Sequence, residues 1–221
     1  MADPPEPLPP EPSCPEPRRV APGRIELILG PMFSGKSTEL KRRLQVALRG
    51  KHLCCLIRSR TDTRHKAESP EGVLQTHAGD VLKPDPRLAV VWATALREVR
   101  LPEGCTFVAI DEGQFFCDLD TFCRRLATFG GERGRTAPLT IVVAALNGTY
   151  DQTAFAPVAR LLPHADRIVS FTSQCFLCGD DTCYTCKVGG GAAAAGHIEP
   201  GGAGKYEALC RRCRPPVPLG E

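Results

Sequence analysis

From Arg24 onward, short apolar runs alternate with amphipathic stretches. Residues 25–29 form the first apolar run, and over 37–48 Leu40, Leu44, Ala47 and Leu48 recur at helical spacing beside Lys41, Arg42 and Arg43. The same pattern predicts strands over 53–57, 88–92, 107–110, 139–144 and 167–171, and helices over 118–129 and 155–162. Strands separated by helical stretches predict an α/β fold: a mostly parallel sheet with helices on both faces.

The pattern fails at both ends. Residues 1–23 carry nine prolines by Pro22 and no positive charge before Arg18, a composition that cannot bury enough surface to offset chain entropy. This predicts a disordered acidic tail. Over 173–214 there are six cysteines and little aliphatic surface, with 12 of the 19 residues in 187–205 being Gly or Ala. The expected organisation is therefore a tail over 1–23, an α/β domain over 24–172, a small stapled appendage with a long loop over 173–214, and a short tail over 215–221. Residues 130–138, small and charged, predict an exposed loop.

At 221 residues the chain suits one full domain plus an appendage. A net charge of +3 gives no strong field for nucleic acid or anionic membranes, and no apolar run approaches the ~20 residues of a membrane span. The N-terminal stretch lacks the apolar core of a secretory signal, so a cytoplasmic location is expected. In a reducing compartment the 12 cysteines then point to buried small hydrophobes, metal ligands or redox chemistry rather than to a disulfide framework.

Gly30-Pro31-Met32-Phe33-Ser34-Gly35-Lys36-Ser37 fits G-x-x-x-x-G-K-[ST] between a predicted strand and a predicted helix. In that setting backbone N–H groups turn inward on a phosphate, the helix points its positive end at it, Lys36 reaches the β and γ phosphates, and Ser37 offers a hydroxyl to Mg²⁺. Such a site needs an acidic Mg²⁺ partner at the end of a neighbouring strand. Asp111, closing the 107–110 run, is the candidate. Glu112 follows at once and is open to two readings, a second carboxylate for proton transfer or a solvated loop acid.

Cys175-x-x-Cys178 and Cys210-x-x-Cys213 are paired knuckles suited to a Cys₄ zinc site that would stand in for the core this segment lacks. Cys183-x-x-Cys186 supplies two further thiols, either near but outside the metal shell or forming an alternative ligand or redox pair. Cys14, Cys54, Cys55, Cys105, Cys117 and Cys123 read as small buried or incidental residues, and His77 and His197 are minor alternative ligands.

Taken together, G-P-M-F-S-G-K-S-T-E-L over 30–40, Asp62-Thr-Arg64, D-E-G-Q-F-F over 111–116, A-L-N-G-T-Y over 145–150 and the knuckles with Lys205-Tyr206 resemble the zinc-containing type II thymidine kinases. The resemblance runs in order from Arg24 to Arg214. It implies a P-loop, RecA-like kinase domain with a zinc-binding lasso, transferring the ATP γ-phosphate to the 5′-hydroxyl of thymidine or deoxyuridine. Glu112 would be the general base, Ser37 and Asp111 would serve Mg²⁺, and residues 30–37, Asp62, Arg64, Asp111 and Gln114 would lie on the ATP and phosphate side. Met32, Phe115, Leu146, Tyr150, Thr185 and Tyr206 would form the nucleoside pocket.

The resemblance also implies a homotetramer and feedback inhibition by dTTP. The chain departs from the family pattern at Asn147, where an acidic residue is common, at Cys186, where a basic one is usual, and at Glu199-Pro200 in the lasso. A competing function from a different class is a P-loop ATPase whose zinc knuckles bind nucleic acid.

Overall fold

The structure, a computed structural model, describes residues 22–61, 84–129, 138–188 and 204–216. Six parallel strands form the central sheet: β1 (Arg24–Gly30), β2 (Cys54–Ser59), β3 (Leu88–Ala93), β4 (Phe107–Ile110), β5 (Thr140–Leu146) and β6 (Arg167–Ser170), in spatial order β3-β2-β4-β5-β1-β6. Three α-helices connect them among the described residues: α1 (Lys36–Arg49), α2 (Leu119–Phe129) and α3 (Ala156–Leu161). Each of these elements lies where the hydrophobic pattern predicts it, with ends displaced by at most two residues. One of the two-residue displacements, at the end of β5, is useful. Continued pairing of Ala145 with Leu29 and Leu146 with Gly30 carries β5 up to the phosphate loop.

Because successive strand side chains point to opposite faces, a strand covered on both faces is apolar at nearly every position. Along β1, Ile25, Leu27 and Leu29 face one core while Ile28 faces the other; β2, β4 and β5 divide their residues in the same way. Leu119, Phe122, Cys123 and Leu126 of α2 and Val158 and Leu161 of α3 fill the first core. Leu40, Leu44, Ala47 and Leu48 of α1 fill the second. Cys54, Cys55, Cys105 and Cys123 are buried, as small hydrophobes should be, whereas Cys117 is exposed. Burial pushes the Cys54 and Cys55 thiols up to about 12, which keeps them neutral and suits them to packing.

α1 is also anchored by charge. Glu39 accepts hydrogen bonds from Arg42 and Arg43, and Arg43 reaches on to Glu26 of β1. The hydrogen bond from Arg42 is the main cause that lowers the Glu39 carboxyl from 4.5 to about 2. A depressed carboxyl pKa contributes stability that is present above pH 4.5 and lost as the pH falls towards 2. Glu39→Gln is therefore expected to lower the Tm at neutral pH, and the gap to the wild type should narrow as thermal melts are taken from pH 6 to pH 3. A gap that is constant across this range would contradict the assignment.

After β6 the chain makes two small antiparallel pairs. β7 (Ser173–Gln174) pairs with β8 (Asp181–Thr182), and β9 (Thr185–Lys187) pairs with β10 (Tyr206–Ala208). Cys175, Cys186, Leu209 and Cys210 are buried together there, with Tyr184, Val188 and Cys213 packed around them. This cluster is small and rich in sulfur, in keeping with the low aliphatic content of the segment. The tail to residue 21, residues 130–137, most of the Gly-Ala loop (189–203) and residues 217–221 lie outside the described residues, as do Asp62, Arg64, Cys14, His77 and His197.

Candidate active site and thiolate centre

Open parallel sheets bind ligands beyond the carboxyl ends of their strands. Here β1 ends at Gly30 and turns through the phosphate loop into α1. Gly35, at φ 83°, takes a left-handed conformation that favours glycine, and it precedes the first residue of α1. A Cβ at Gly30 would lie 2.8 Å from the Phe171 carbonyl oxygen, so the loop passes too close to the neighbouring chain for a larger residue. Within the loop the Pro31 carbonyl accepts from Lys36 Nζ at 2.6 Å and from Ser34 Oγ at 2.9 Å. The Lys36 ammonium is thus buried at the base of the loop, at the positive end of α1.

β4 delivers the carboxylates. Asp111 is buried, and its Oδ1 accepts from Ser37 Oγ at 3.0 Å and from the Glu112 backbone N–H at 3.2 Å. A hydroxyl and a carboxylate at this separation are hard oxygen donors suited to Mg²⁺. Glu112 has φ 53°, a left-handed conformation uncommon for a residue with a side chain. Gln114 is buried, and its amide is engaged at both ends: Nε2 donates to Glu112 Oε2, and Oε1 accepts from the Leu146 N–H at 3.0 Å. Although Gln114 was expected on the phosphate side, its side chain here ties Glu112 to the end of β5.

The predicted nucleoside residues meet from separate parts of the chain. The Met32 N–H donates to Thr185 Oγ1 at 2.9 Å, a buried bond between the phosphate loop and β9. The rings of Tyr150 and Tyr206 have centroids 6.2 Å apart and are tilted by 38°. Leu146 and Phe115 are half-buried beside the Gln114 bridge. Two contributors were not among the expected site residues. Lys187 Nζ lies 5.7 Å from the Tyr150 ring centroid, and Asn147 Nδ2 donates to the Cys183 carbonyl at 2.9 Å. A lysine and an asparagine are unremarkable until folding supplies their partners.

Cys175, Cys178, Cys210 and Cys213 are brought together with their Sγ atoms all within 4.8 Å of one another, and Cys178 and Cys210 are 3.6 Å apart. Four thiolates on a tetrahedral zinc at ~2.3 Å are separated by about 3.8 Å, so this donor set fits zinc. Each knuckle is shaped by local turns. The Gly179 N–H donates to the Cys175 carbonyl at 2.8 Å, and the Cys213 N–H donates to the Cys210 carbonyl at 3.0 Å. Backbone N–H groups, that of Cys210 foremost, bring the Cys175 thiol down to about 6, and the N–H of Cys213 lowers that of Cys210. Hydrogen bonds with Cys178 and Cys210 instead push the Cys213 thiol up to about 12, and the Cys178 thiol is also raised, so that without a metal two of the four sulfurs keep their protons. Deprotonated sulfur is the form a metal requires. Cys186 is buried under the knuckles and Cys183 is exposed; neither belongs to the four-sulfur group.

A phosphate loop at the carboxyl edge of a parallel sheet, with a buried aspartate and a tethered glutamate just past the end of β4, defines a P-loop phosphotransferase that also carries four cysteines able to hold a metal. The chain belongs to the thymidine kinase family, whose model matches residues 23–214. It is 36% identical over 194 residues to "Thymidine kinase, cytosolic" from Gallus gallus, covering 86% of this chain and 76% of that protein. It is likewise 36% identical over 193 residues to the cytosolic thymidine kinase of Homo sapiens, covering 86% and 73%. A viral relative, the thymidine kinase of Variola virus, is 32% identical over 199 residues, covering 86% of this chain and 96% of its own length.

Proposed function

We propose that this protein transfers the γ-phosphate of ATP to the 5′-hydroxyl of thymidine, giving dTMP and ADP, with deoxyuridine as a second substrate. Family membership supports a nucleoside kinase over the nucleic-acid-binding ATPase considered above. One observation carries the reading on this chain's own geometry: Glu112 is tied through Gln114 to the end of β5, the strand leading to Tyr150, while its neighbour Asp111 is bonded to Ser37 of the phosphate loop. The acceptor and donor sides are thus joined through adjacent carboxylates.

The chemistry follows from those positions. Glu112 accepts the proton of the 5′-hydroxyl as the new O–P bond forms and the bond between the γ-phosphorus and the β-phosphate oxygen breaks. Lys36 and the phosphate-loop N–H groups stabilise the charge on the transferring group. Ser37 and Asp111 would hold Mg²⁺, which would supply charge neutralisation on the phosphates. Phe33, Ser34 and Pro31 wrap the phosphates, and the family resemblance assigns Asp62 and Arg64, which lie outside the described residues, a supporting role. Tyr150 and Tyr206 flank the flat base, Thr185 meets its 5-methyl group, and Met32, Phe115 and Leu146 complete an apolar wall.

The knuckles hold a structural Zn²⁺ that supports β9 and β10. We take 24–172 as the kinase domain and 173–214 as the zinc and lasso unit. The proposal extends to a cytoplasmic homotetramer acting in pyrimidine deoxynucleotide salvage, with dTTP as feedback inhibitor. No helix among the described residues is long and apolar enough to cross a membrane.

A coupled assay of ADP release with ATP, Mg²⁺ and thymidine tests the reading, with dTMP identified by chromatography. Thymidine-dependent ADP release with equal dTMP is expected. ATP hydrolysis that is indifferent to thymidine and stimulated by DNA would overturn it in favour of the competing class.

A further inference from the structure

We infer that Asn147 is a positioning residue for the acceptor nucleoside: it latches the zinc-supported segment 183–188 onto the phosphate loop. Three hydrogen bonds carry this. The Asn147 backbone N–H donates to the Gly30 carbonyl at 3.3 Å, which fixes Asn147 to the first residue of the phosphate loop. Its side-chain Nδ2 donates to the Cys183 carbonyl at 2.9 Å. Two residues further along, the Thr185 hydroxyl accepts from the Met32 N–H at 2.9 Å and returns the circuit to the same loop.

The path from Gly30 through Asn147, Cys183 and Thr185 to Met32 thus closes on itself and joins segments more than a hundred residues apart in sequence. It continues to the catalytic carboxylate, because Leu146, the residue before Asn147, donates to Gln114, which in turn donates to Glu112. Asn147, through its backbone to the phosphate loop and its side chain to Cys183, is therefore the residue at which the general base, the phosphate loop and the nucleoside-facing strand β9 share one frame.

The chemistry at this position is specific. A carbonyl needs a donor, and of the residues close to asparagine in size neither aspartate nor leucine supplies one at neutral pH. Asn147 is itself exposed, so its bond to Cys183 contributes as a solvent-accessible hydrogen bond does, a modest effect on binding rather than a collapse of the fold. Its loss releases the start of the 183–188 segment while Thr185 remains tethered. The segment samples more positions, and nucleoside affinity falls by the fraction of time it is misplaced. The ATP side, held by residues 30–37 and α1, does not depend on the bond.

This inference rests on the proposed kinase activity for its kinetic readout, so the experiment has a second, substrate-free arm. Asn147→Leu and Asn147→Asp are compared with the wild type for steady-state kinetics, bound zinc and amide hydrogen exchange of peptides covering Met32 and 184–188. The expected result is a rise of about fivefold in the KM for thymidine in Asn147→Leu, larger in Asn147→Asp, where carboxylate faces carbonyl. The kcat and the KM for ATP should stay within twofold, zinc content should be unchanged, and exchange in the 184–188 peptide should quicken several-fold without any nucleotide. Unchanged exchange overturns the latch, whatever the substrate proves to be. Faster exchange with an unchanged thymidine KM, or an equal loss on kcat and both KM values, overturns the positioning role. If the wild type fails to use thymidine, the kinase reading fails and hydrogen exchange alone decides the latch.

Discussion

Glu112→Gln is expected to cut thymidine-dependent dTMP formation by roughly 10²–10⁴-fold, the usual contribution of a positioned general base. Glutamine is close in size to glutamate and keeps a carbonyl oxygen able to accept from Gln114, so the bridge to Leu146 can be retained. What it lacks is a site basic enough to take the 5′-hydroxyl proton. The loss should therefore fall on kcat, with nucleoside binding measured by calorimetry within a few-fold of the wild type. Asp111 is buried, and its Oδ1 also accepts from Ser37, so Asp111→Asn should instead weaken Mg²⁺ binding and raise the Mg²⁺ concentration needed for half-maximal activity. If Glu112→Gln retained more than a tenth of the wild-type kcat, the base would have to be sought elsewhere.

Removing a knuckle ligand should be comparably severe for a different reason. Cys210→Ala is expected to reduce bound zinc from one per chain to well below half, and to lower kcat/KM for thymidine on the order of 100-fold. The described residues of the 175–213 segment have too small an apolar cluster to hold themselves: it consists of Cys175, Cys186, Leu209 and Cys210, with Tyr206 and Ala208 of β10 also buried, and two of the four clustered residues are proposed ligands. Without the metal, β9 and β10 lose their support, and with them go the Thr185 bond to Met32 and the approach of Tyr206 to Tyr150. ATP binding depends on residues 30–37 and should persist. The separation is the test, since loss of nucleotide binding together with zinc would mean general unfolding. Metal analysis showing a full zinc complement in Cys210→Ala would refute the ligand set.

The fold was legible because its signals are local and redundant. A two-sided parallel strand must be apolar almost throughout, and the runs at 25–29, 107–110 and 139–144 could hardly be anything else. The phosphate loop was equally plain, since glycine is needed where the backbone turns left-handed at Gly35, and the following lysine and serine carry the chemistry. Pairing of the knuckles was legible too, because a metal site declares itself by ligand spacing.

Less of the acceptor side could be read. Gln114 sits in a recognisable string, but its bond to the Leu146 N–H depends on β5 running two residues past its predicted end. Asn147 looked only like a departure from a family pattern until Cys183 was found opposite it. Cys186 and Cys183, equivalent in the sequence as the halves of a third knuckle, are separated by burial: Cys186 lies in the small core and Cys183 on the surface.

The sequence by itself determined the sheet, the phosphate loop, the carboxylate pair and the four clustered thiols that could hold a metal, because each is written in neighbouring residues through periodicity, a turn requirement or ligand spacing. Only the tertiary structure decided which side chains unite these parts: Ser37 with Asp111, Met32 with Thr185, Gln114 with Glu112 and Leu146, and Asn147 with Cys183. These contacts are single hydrogen bonds between groups brought close by strand order and by the closing of the knuckles. A donor and an acceptor far apart in the chain leave no periodic trace, so their pairing exists only once the sheet and the thiolate centre are built.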